Sequence, residues 1–355
     1  MDAVHTIAVS REAMACCFEA IFNIVDNDVA TAWGVEALDL IEAIEDRITI
    51  YRPTSELSVL NRRAASGWQP VSPELFQLLI LARDLHKRTG GGFDVTSGPL
   101  VKAWGFVERR GRTPSPADLA AARSCCGMDK LEFDEAKQRI RFQKPGVEIN
   151  LGGIGKGWAI DQAIDLIGRG GGVNVLLHGG QSSVRARGTQ GVPAATTTPG
   201  WPVGLRHPLR PRERLGQIML DNQALGTSGS GTQFFIERGR KLGHILDPRS
   251  GQPAKGVLSA TVLAPTAAEA DALATAAYVL GPAGLPRIAP PAGSVSAVLV
   301  LPGKRAEELT VVLANLAENQ FQLNENLRGL TIVQAENDET ESTATQQAGP
   351  PFCHE

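Results

Sequence analysis

At 355 residues, 43% apolar and 21% charged, the chain has the composition of a globular protein, long enough to bury a large core in one big domain or two modest ones. A formal net charge of -3 argues against nucleic acid or an anionic membrane surface as the main partner, and leaves room for one small anion in a local pocket. Five cysteines, in the adjacent pairs Cys16-Cys17 and Cys125-Cys126 plus Cys353, fit neither a disulfide framework nor a zinc chelate; reduced, mostly buried thiols are expected.

The first fifteen residues include Asp2, His5, Arg11 and Glu12, which is no basic-then-apolar secretory pattern, and no early stretch is apolar enough to span a bilayer. With no signal peptide or lipoprotein signal visible, a cytoplasmic location is expected, unless an upstream segment was lost. Apolar residues at Ala37, Ile41, Ile44 and Ile48 predict an amphipathic helix over 35–48, followed by a break at Pro53. The next segment, Tyr51 to Asn61, reads as a turn then a helix, with Ser55 as its cap. A further helix is capped by Ser72, has Pro73 in its first turn and Leu75, Leu78, Leu79 and Ala82 as its stripe, and ends at Gly90-Gly91-Gly92. Ser115-Pro116 opens another, running through Arg123. Residues 131–133 and 139–143 alternate with period two and predict a hairpin. A helix with Ile160, Ile164 and Ile167 on one face follows Gly153, and 173–177 is a short strand ending at His178-Gly179-Gly180. The stretch 188–201, rich in Gly, Pro, Thr and Ala, predicts an exposed loop. Strands are expected at 203–205, 217–220, 259–263 and 296–301, and a helix over 266–280. One domain over 1–334 and a disordered tail over 335–355 complete the organisation. The irregular interleaving of strands and helices favours an α+β fold with mixed or antiparallel sheets.

Five stretches carry candidate chemistry. Asp271 and Thr275 lie four apart on a helix, so a carboxylate and a hydroxyl share one face; both are hard oxygen donors suited to magnesium. Asn150-Leu-Gly-Gly-Ile-Gly-Lys156-Gly is a glycine-rich turn opening a helix, where backbone groups and Lys156 can meet an anion. His244-Ile-Leu-Asp247-Pro offers a proton acceptor, or alternatively a turn histidine bonded to Asp247. Gly92-Phe93-Asp94-Val-Thr96, with Trp104-Gly-Phe106, has the residue types to hold a flat ring, or to plug a core. Tyr51 and its neighbours could supply a stacking ring. Each of these, read alone, also has an ordinary structural explanation.

Their order along the chain resembles the ApbE family of FAD:protein FMN transferases. The matching elements are Ser55-Glu-Leu-Ser58 with Asn61, Phe93-Asp-Val-Thr-Ser-Gly-Pro-Leu100, the Lys156-Gly turn and Gly179-Gly180. Thr227-Ser-Gly229, His244-Ile-Leu-Asp-Pro248 and Asp271-Ala-Leu-Ala-Thr275 follow, so that the resemblance covers about Met14 to Gly281. It implies an α+β, T-fold-like architecture of mixed sheets with packed helices and an FAD cleft. By position, Met14, Tyr51, Gly92, Phe93, Asp94, Asn150 and Lys156 would contact FAD. Asp271, Thr275 and the backbone oxygen of Gly153 would bind Mg2+. His244 or Asp247 would take the proton as a threonine hydroxyl of an acceptor flavoprotein displaces AMP from FAD. The same site would serve FAD hydrolysis to FMN and AMP, and a carrier that binds flavin without turnover is a third alternative. The chain departs from the family pattern at Gln181 and Asn150, where acidic residues are common, at Ser230-Gly231, and at Met14-Ala15-Cys16-Cys17.

Overall fold

A sheet of nine strands runs through the molecule, its strands lying side by side in the order in which they occur along the chain. The computed structural model describes residues 6–23, 27–191, 199–229, 233–305 and 307–335. The sheet comprises β1 (Thr6–Ala13), β2 (Cys16–Asn23), β3 (Val175–Gly179), β4 (Ser183–Arg187), β5 (Ala224–Gly229), β6 (Ser259–Ala264), β7 (Ser296–Pro302), β8 (Leu309–Ala314) and β9 (Leu330–Gln334). Neighbours are antiparallel except β8 and β9, which are parallel. Between β2 and β3 come α1 (Asn27–Ile48), α2 (Glu56–Arg63), α3 (Pro73–Arg88), α4 (Gly98–Ala103), α5 (Pro116–Ser124), the hairpin Leu131–Asp134/Arg139–Phe142, and α6 (Gly155–Arg169). The helices α7 (Ala267–Leu280) and α8 (Leu285–Ile288) join β6 to β7.

The period-two alternation of the strands sorts apolar side chains into two cores. On β7, Ala297 and Leu299 enter one and Val298 and Val300 the other; on β6, Ala260 and Val262 are divided from Leu263 in the same way. The first core lies under α1, α6 and α7, which pack side by side. The second lies under a small sheet formed by Trp201–Arg206, Arg214–Leu220 and Phe321–Leu323. A third cluster, around Trp104, Phe106 and Leu246, sits apart from both.

Helices α6 and α7 cap each other. Asp161 of α6 accepts hydrogen bonds from the Ala267 and Ala268 amides at 2.8 and 2.9 Å, in the first turn of α7. Asp271 of α7 accepts one from the Gly157 amide at 2.9 Å, in the first turn of α6. Each carboxylate so satisfies amides that a helix start leaves unpaired, and sits at the positive end of the other helix dipole. The crossing is close enough to demand glycine: a Cβ on Gly157 would lie 2.1 Å from the Ala267 carbonyl oxygen. Gly226 on β5 gives α7 the same access to the sheet, since its Cβ would stand 2.5 Å from the Ala270 carbonyl.

The capped helices, the hairpin and the strands expected from sequence are present, including the Ser72 and Ser115 caps. Four expectations change. Helix α1 starts at Asn27, eight residues before the apolar pattern becomes regular, because Gly34 is where it meets the sheet: a Cβ there would stand 2.8 Å from Val9. The expected loop over 188–201 ends in a buried residue, since Trp201 opens a strand and its indole donates to the Arg187 carbonyl at 3.1 Å; residues 192–198 lie outside the described residues. The described thiols are free, but only Cys126 is buried; Cys16 and Cys125 are half-buried and Cys17 is exposed on the edge hairpin. Ala335, expected in the tail, is held to the sheet, since its amide donates to the Leu313 carbonyl at 2.8 Å. Residues 336–355, Cys353 among them, and Ser230-Gly231 lie outside the described residues.

Candidate active site

The turn between β3 and β4, the strands β5 and β6, the first turn of α6, one face of α7 and residues from 203–211 and 233–248 surround a cavity of about 870 Å3. That volume is at the upper end of the range for small-molecule and cofactor sites. Sequence segments far apart in the chain converge on it. Tyr51, Gly92, Phe93, Asp94 and Asn150 line it, as do Gly153, Lys156, His244, Asp271 and Thr275.

Asp271 is fully enclosed by the fold except toward the cavity. Both of its described hydrogen bonds, from the Gly157 amide and from the Ser183 hydroxyl at 2.8 Å, end on Oδ2. Oδ1 has no hydrogen-bond partner among the described residues. Burial raises the Asp271 carboxyl above its usual range, and the Lys156 charge and these two bonds work against that rise. One turn on, Thr275 Oγ1 donates to the Asp271 carbonyl at 3.1 Å and lies 3.2 Å from Ser228 Oγ. Gly153 faces the same hydroxyl: a Cβ on it would come within 3.4 Å of Thr275 Oγ1 and 3.3 Å of the Phe93 ring. Among the described residues, no group of three or more His, Cys, Asp or Glu side chains converges on a metal position. A carboxylate oxygen, a hydroxyl and a backbone carbonyl form an all-oxygen set with few protein ligands, the kind that suits Mg2+ rather than zinc.

His244 stands across the cavity. Its Nδ1 lies 3.0 Å from the Gln233 carbonyl oxygen, which only accepts, so Nδ1 carries the proton and Nε2 is left as the acceptor. Burial lowers its pKa below 6.5, against the Gln233 bond and with help from the Lys156 charge, so the ring is neutral at pH 7. The alternative of a turn histidine bonded to Asp247 is not what the structure has. Asp247 does not line the cavity; Arg249 grips its two oxygens at 2.9 Å each. Burial alone would raise that carboxyl, but the Arg249 bonds hold it below the usual carboxylate range. Met14 is also not brought to the cavity. It and Ala15 have φ of 48° and 58° and form the two-residue turn of the β1–β2 hairpin, and the Met14 amide donates to Glu45 at 2.8 Å.

The remaining residues shape the walls. Asn150 Oδ1 accepts from the Gly152 amide at 2.9 Å and pins the glycine turn. Asp94 accepts from the Thr96 amide and hydroxyl at 2.7 and 2.6 Å; burial raises its pKa while these bonds oppose the rise. Phe93 lines the cavity but is only 3% exposed, and Trp104, equally buried, does not reach it: its indole donates to the Gly251 carbonyl at 2.8 Å and its ring plugs the core. Tyr51, 65% exposed, stands at the mouth. Sequence reading passed over Ser183, Arg206 and His207. Ser183 follows the Gly179-Gly180 strand end by three residues and holds Asp271, and only the tertiary pairing of β4 with α7 reveals this. Gln181, with φ of 59°, accepts from Arg206 at 2.6 Å, so a neutral amide and a guanidinium occupy that wall.

A model of the ApbE family matches residues 4–299. The FAD:protein FMN transferase of Haemophilus influenzae is 31% identical over 288 residues, spanning 78% of this chain and 81% of that protein. The crystal structure of the ApbE protein from Thermotoga maritima superposes with a TM-score of 0.74 at 26% identity, over 84% of this chain and 94% of that one. The flavin transferase ApbE of Vibrio cholerae superposes with a TM-score of 0.73 at 25% identity, over 88% and 98% of the two chains.

Proposed function

The chain belongs to the ApbE family, and on that footing we propose that it transfers FMN from FAD to a threonine hydroxyl of an acceptor flavoprotein, releasing AMP. The observation that carries this reading is the convergence of Lys156, Asp271, Thr275, Gly153 and His244 on one cavity. In the transfer, the acceptor oxygen forms a bond to the FMN phosphorus, the bond from that phosphorus to the bridging oxygen breaks, and AMP carries away the electron pair. Lys156 is the cation that would hold the diphosphate and the charge that grows on it. His244 Nε2, unprotonated at neutral pH, takes the hydroxyl proton. Asp271 Oδ1, Thr275 Oγ1 and the Gly153 carbonyl would hold Mg2+, which when bound neutralises phosphate charge and fixes the diphosphate geometry. Ser183 keeps Asp271 aimed, and Asn150 keeps the glycine turn open to ligand. A cytoplasmic setting belongs to the same proposal; free thiols at the four described cysteines support a reducing compartment. No helix among the described residues is long and apolar enough to cross a membrane.

The test is AMP release from FAD and Mg2+ with and without an acceptor flavoprotein. Release that requires the acceptor, with flavin left covalently on it, is the expected result. Release that is indifferent to the acceptor would make the protein an FAD hydrolase instead, and FAD binding with no AMP would make it a carrier.

A further inference from the structure

Beside the cavity mouth stands a two-stranded ribbon, Phe234–Glu237 paired with Arg240–Gly243, which forms a sheet of its own. A lone ribbon is marginal in water, and this one is anchored through one face only. Phe235 packs 5.8 Å from the Phe106 ring and 6.3 Å from Trp104, with Leu242 in the same cluster, and Gln233 Nε2 donates to the Phe106 carbonyl at 2.9 Å. Strand alternation puts Phe234 and Ile236 on the opposite face, 44% and 69% exposed, with Lys241 directly across from Ile236. A short apolar stripe is therefore left to solvent on an element that has both outer edges unpaired among the described strands.

Positive charge gathers at the ribbon's turn, which holds Arg238, and on the face opposite the stripe, where Arg240 stands across from Glu237. The loop 107–113 packs beneath the ribbon, with Gly111 against Phe235 and the Thr113 hydroxyl on the Glu237 carboxylate. The loop carries Arg109 and Arg110, and the ribbon it packs against carries Arg238 and Arg240. All four are exposed, and none has an ion-pair or hydrogen-bond partner for its side chain among the described residues. The only carboxylates in these two segments are Glu108 and Glu237. A chain of net charge -3 has thus gathered unpaired arginines at one place. That place is continuous with the cavity, since Lys241, Gln233, Phe106 and His244 all line it.

We propose that the ribbon and the 107–113 loop are the docking surface for the acceptor protein, and that they take an extended, acidic segment bearing an apolar side chain. The inference rests on the transfer reading and adds the partner's chemistry. Strand addition along the ribbon fixes direction, Phe234 and Ile236 receive the apolar residue, and the arginines meet the carboxylates. The segment then runs past Lys241 to bring its hydroxyl to His244. The experiment uses a labelled peptide with one threonine among Asp and Glu residues, and the same peptide with Asn and Gln in their place. Binding of both is measured by anisotropy to the full chain and to Arg109→Glu/Arg110→Glu, Arg238→Glu/Arg240→Glu, Arg238→Lys/Arg240→Lys and Phe234→Ser/Ile236→Ser variants. FAD affinity is followed in parallel by flavin fluorescence. The acidic peptide should bind about tenfold more tightly than its amide counterpart, with the margin shrinking as salt is raised. Either charge reversal should erase that margin without weakening FAD, the lysine pair should keep it, and the serine pair should weaken both peptides. Charge-reversed proteins that bind the acidic peptide as the parent does would overturn the proposal. So would a loss confined to FAD affinity, which would assign the arginines to the diphosphate. Peptide binding needs no turnover, so a parent protein that binds the acidic peptide on the ribbon yet labels no acceptor counts against the transfer reading and not against the surface.

Discussion

Replacing Asp271 by Asn separates two jobs that one carboxylate performs. An amide oxygen in the place of Oδ2 keeps the bonds from the Gly157 amide and the Ser183 hydroxyl. The lost charge forgoes its attraction to the start of α6, about 0.3–1 kcal/mol and up to about 2 in a partly buried setting. Against this stands relief from holding an anion where burial has already raised its pKa. The two effects oppose, and stability without metal should change by no more than about 1 kcal/mol. Asp271→Ala differs, because it strands two donors at about 1–3 kcal/mol each. In the Asn variant an amide N–H group replaces Oδ1 and cannot accept a cation. Magnesium at about 100 times its Kd should stabilise the parent by about 2.7 kcal/mol and the Asn variant not at all. The pH dependence has a definite sign. A raised folded-state pKa means that the folded protein holds the Asp271 proton more tightly than the unfolded chain does. Without metal, the parent therefore loses stability relative to the Asn variant as pH rises from the unfolded value of 3.8 through the higher folded one. Thermal unfolding of both proteins in EDTA and in magnesium chloride reads all of this. An Asn variant that keeps its magnesium stabilisation would refute Asp271 as the ligand. One that loses several kcal/mol in EDTA would refute the view that a neutral acceptor suffices for the α6–α7 clasp.

The clasp itself is tested by Gly157→Ala. Alanine is the better helix former by about 1 kcal/mol, yet the backbone contact at 2.1 Å should outweigh that and leave a net loss of about 1–3 kcal/mol in urea unfolding; unchanged stability would show that the helices can part freely. Asp161→Ala should cost at least about 2 kcal/mol, because it strands two α7 amides and takes a buried carboxylate from Arg185 at 2.9 Å, and a melting temperature equal to the parent's would contradict this. The acid limb of kcat/KM should lie below pH 6.5, where the lowered His244 pKa puts it, and Lys156→Gln should move it upward by removing a neighbouring cation; a limb that stays in place would detach Lys156 from His244. His244→Gln should abolish the limb and slow transfer far more than it weakens FAD binding.

Local signals in the sequence located the caps, the hairpin and most helices, because each depends on residues within one turn of each other. Ser55, Ser72 and Ser115 cap the helices that follow them, and the isoleucines of α6 face the core as their spacing required. Strands β1, β2, β4, β5, β8 and β9 were not expected from the sequence. On β1 adjacent Arg11 and Glu12 break a clean period-two pattern, and β5 contains Gly226 and Gly229, of low strand propensity, where the sheet meets α7 and the cavity. For the site, residue type and order singled out Asp271, Thr275 and His244, which the structure brings to one cavity. What holds them was not legible: Ser183 on Asp271 and the Gln233 carbonyl on His244 are contacts set by tertiary packing. The same limit explains Asp247 and Met14. Both stand in stretches that fit the family, yet Arg249, two residues on, claims the Asp247 carboxylate, and the hairpin turn claims the Met14 backbone.

The most direct measurement is intact-mass and peptide analysis of an acceptor flavoprotein after incubation with this protein, FAD and magnesium. The account predicts an added FMN mapped to one threonine, one AMP released for each FMN attached, and neither product with Asp271→Asn. AMP formed while the acceptor mass stays unchanged would contradict it.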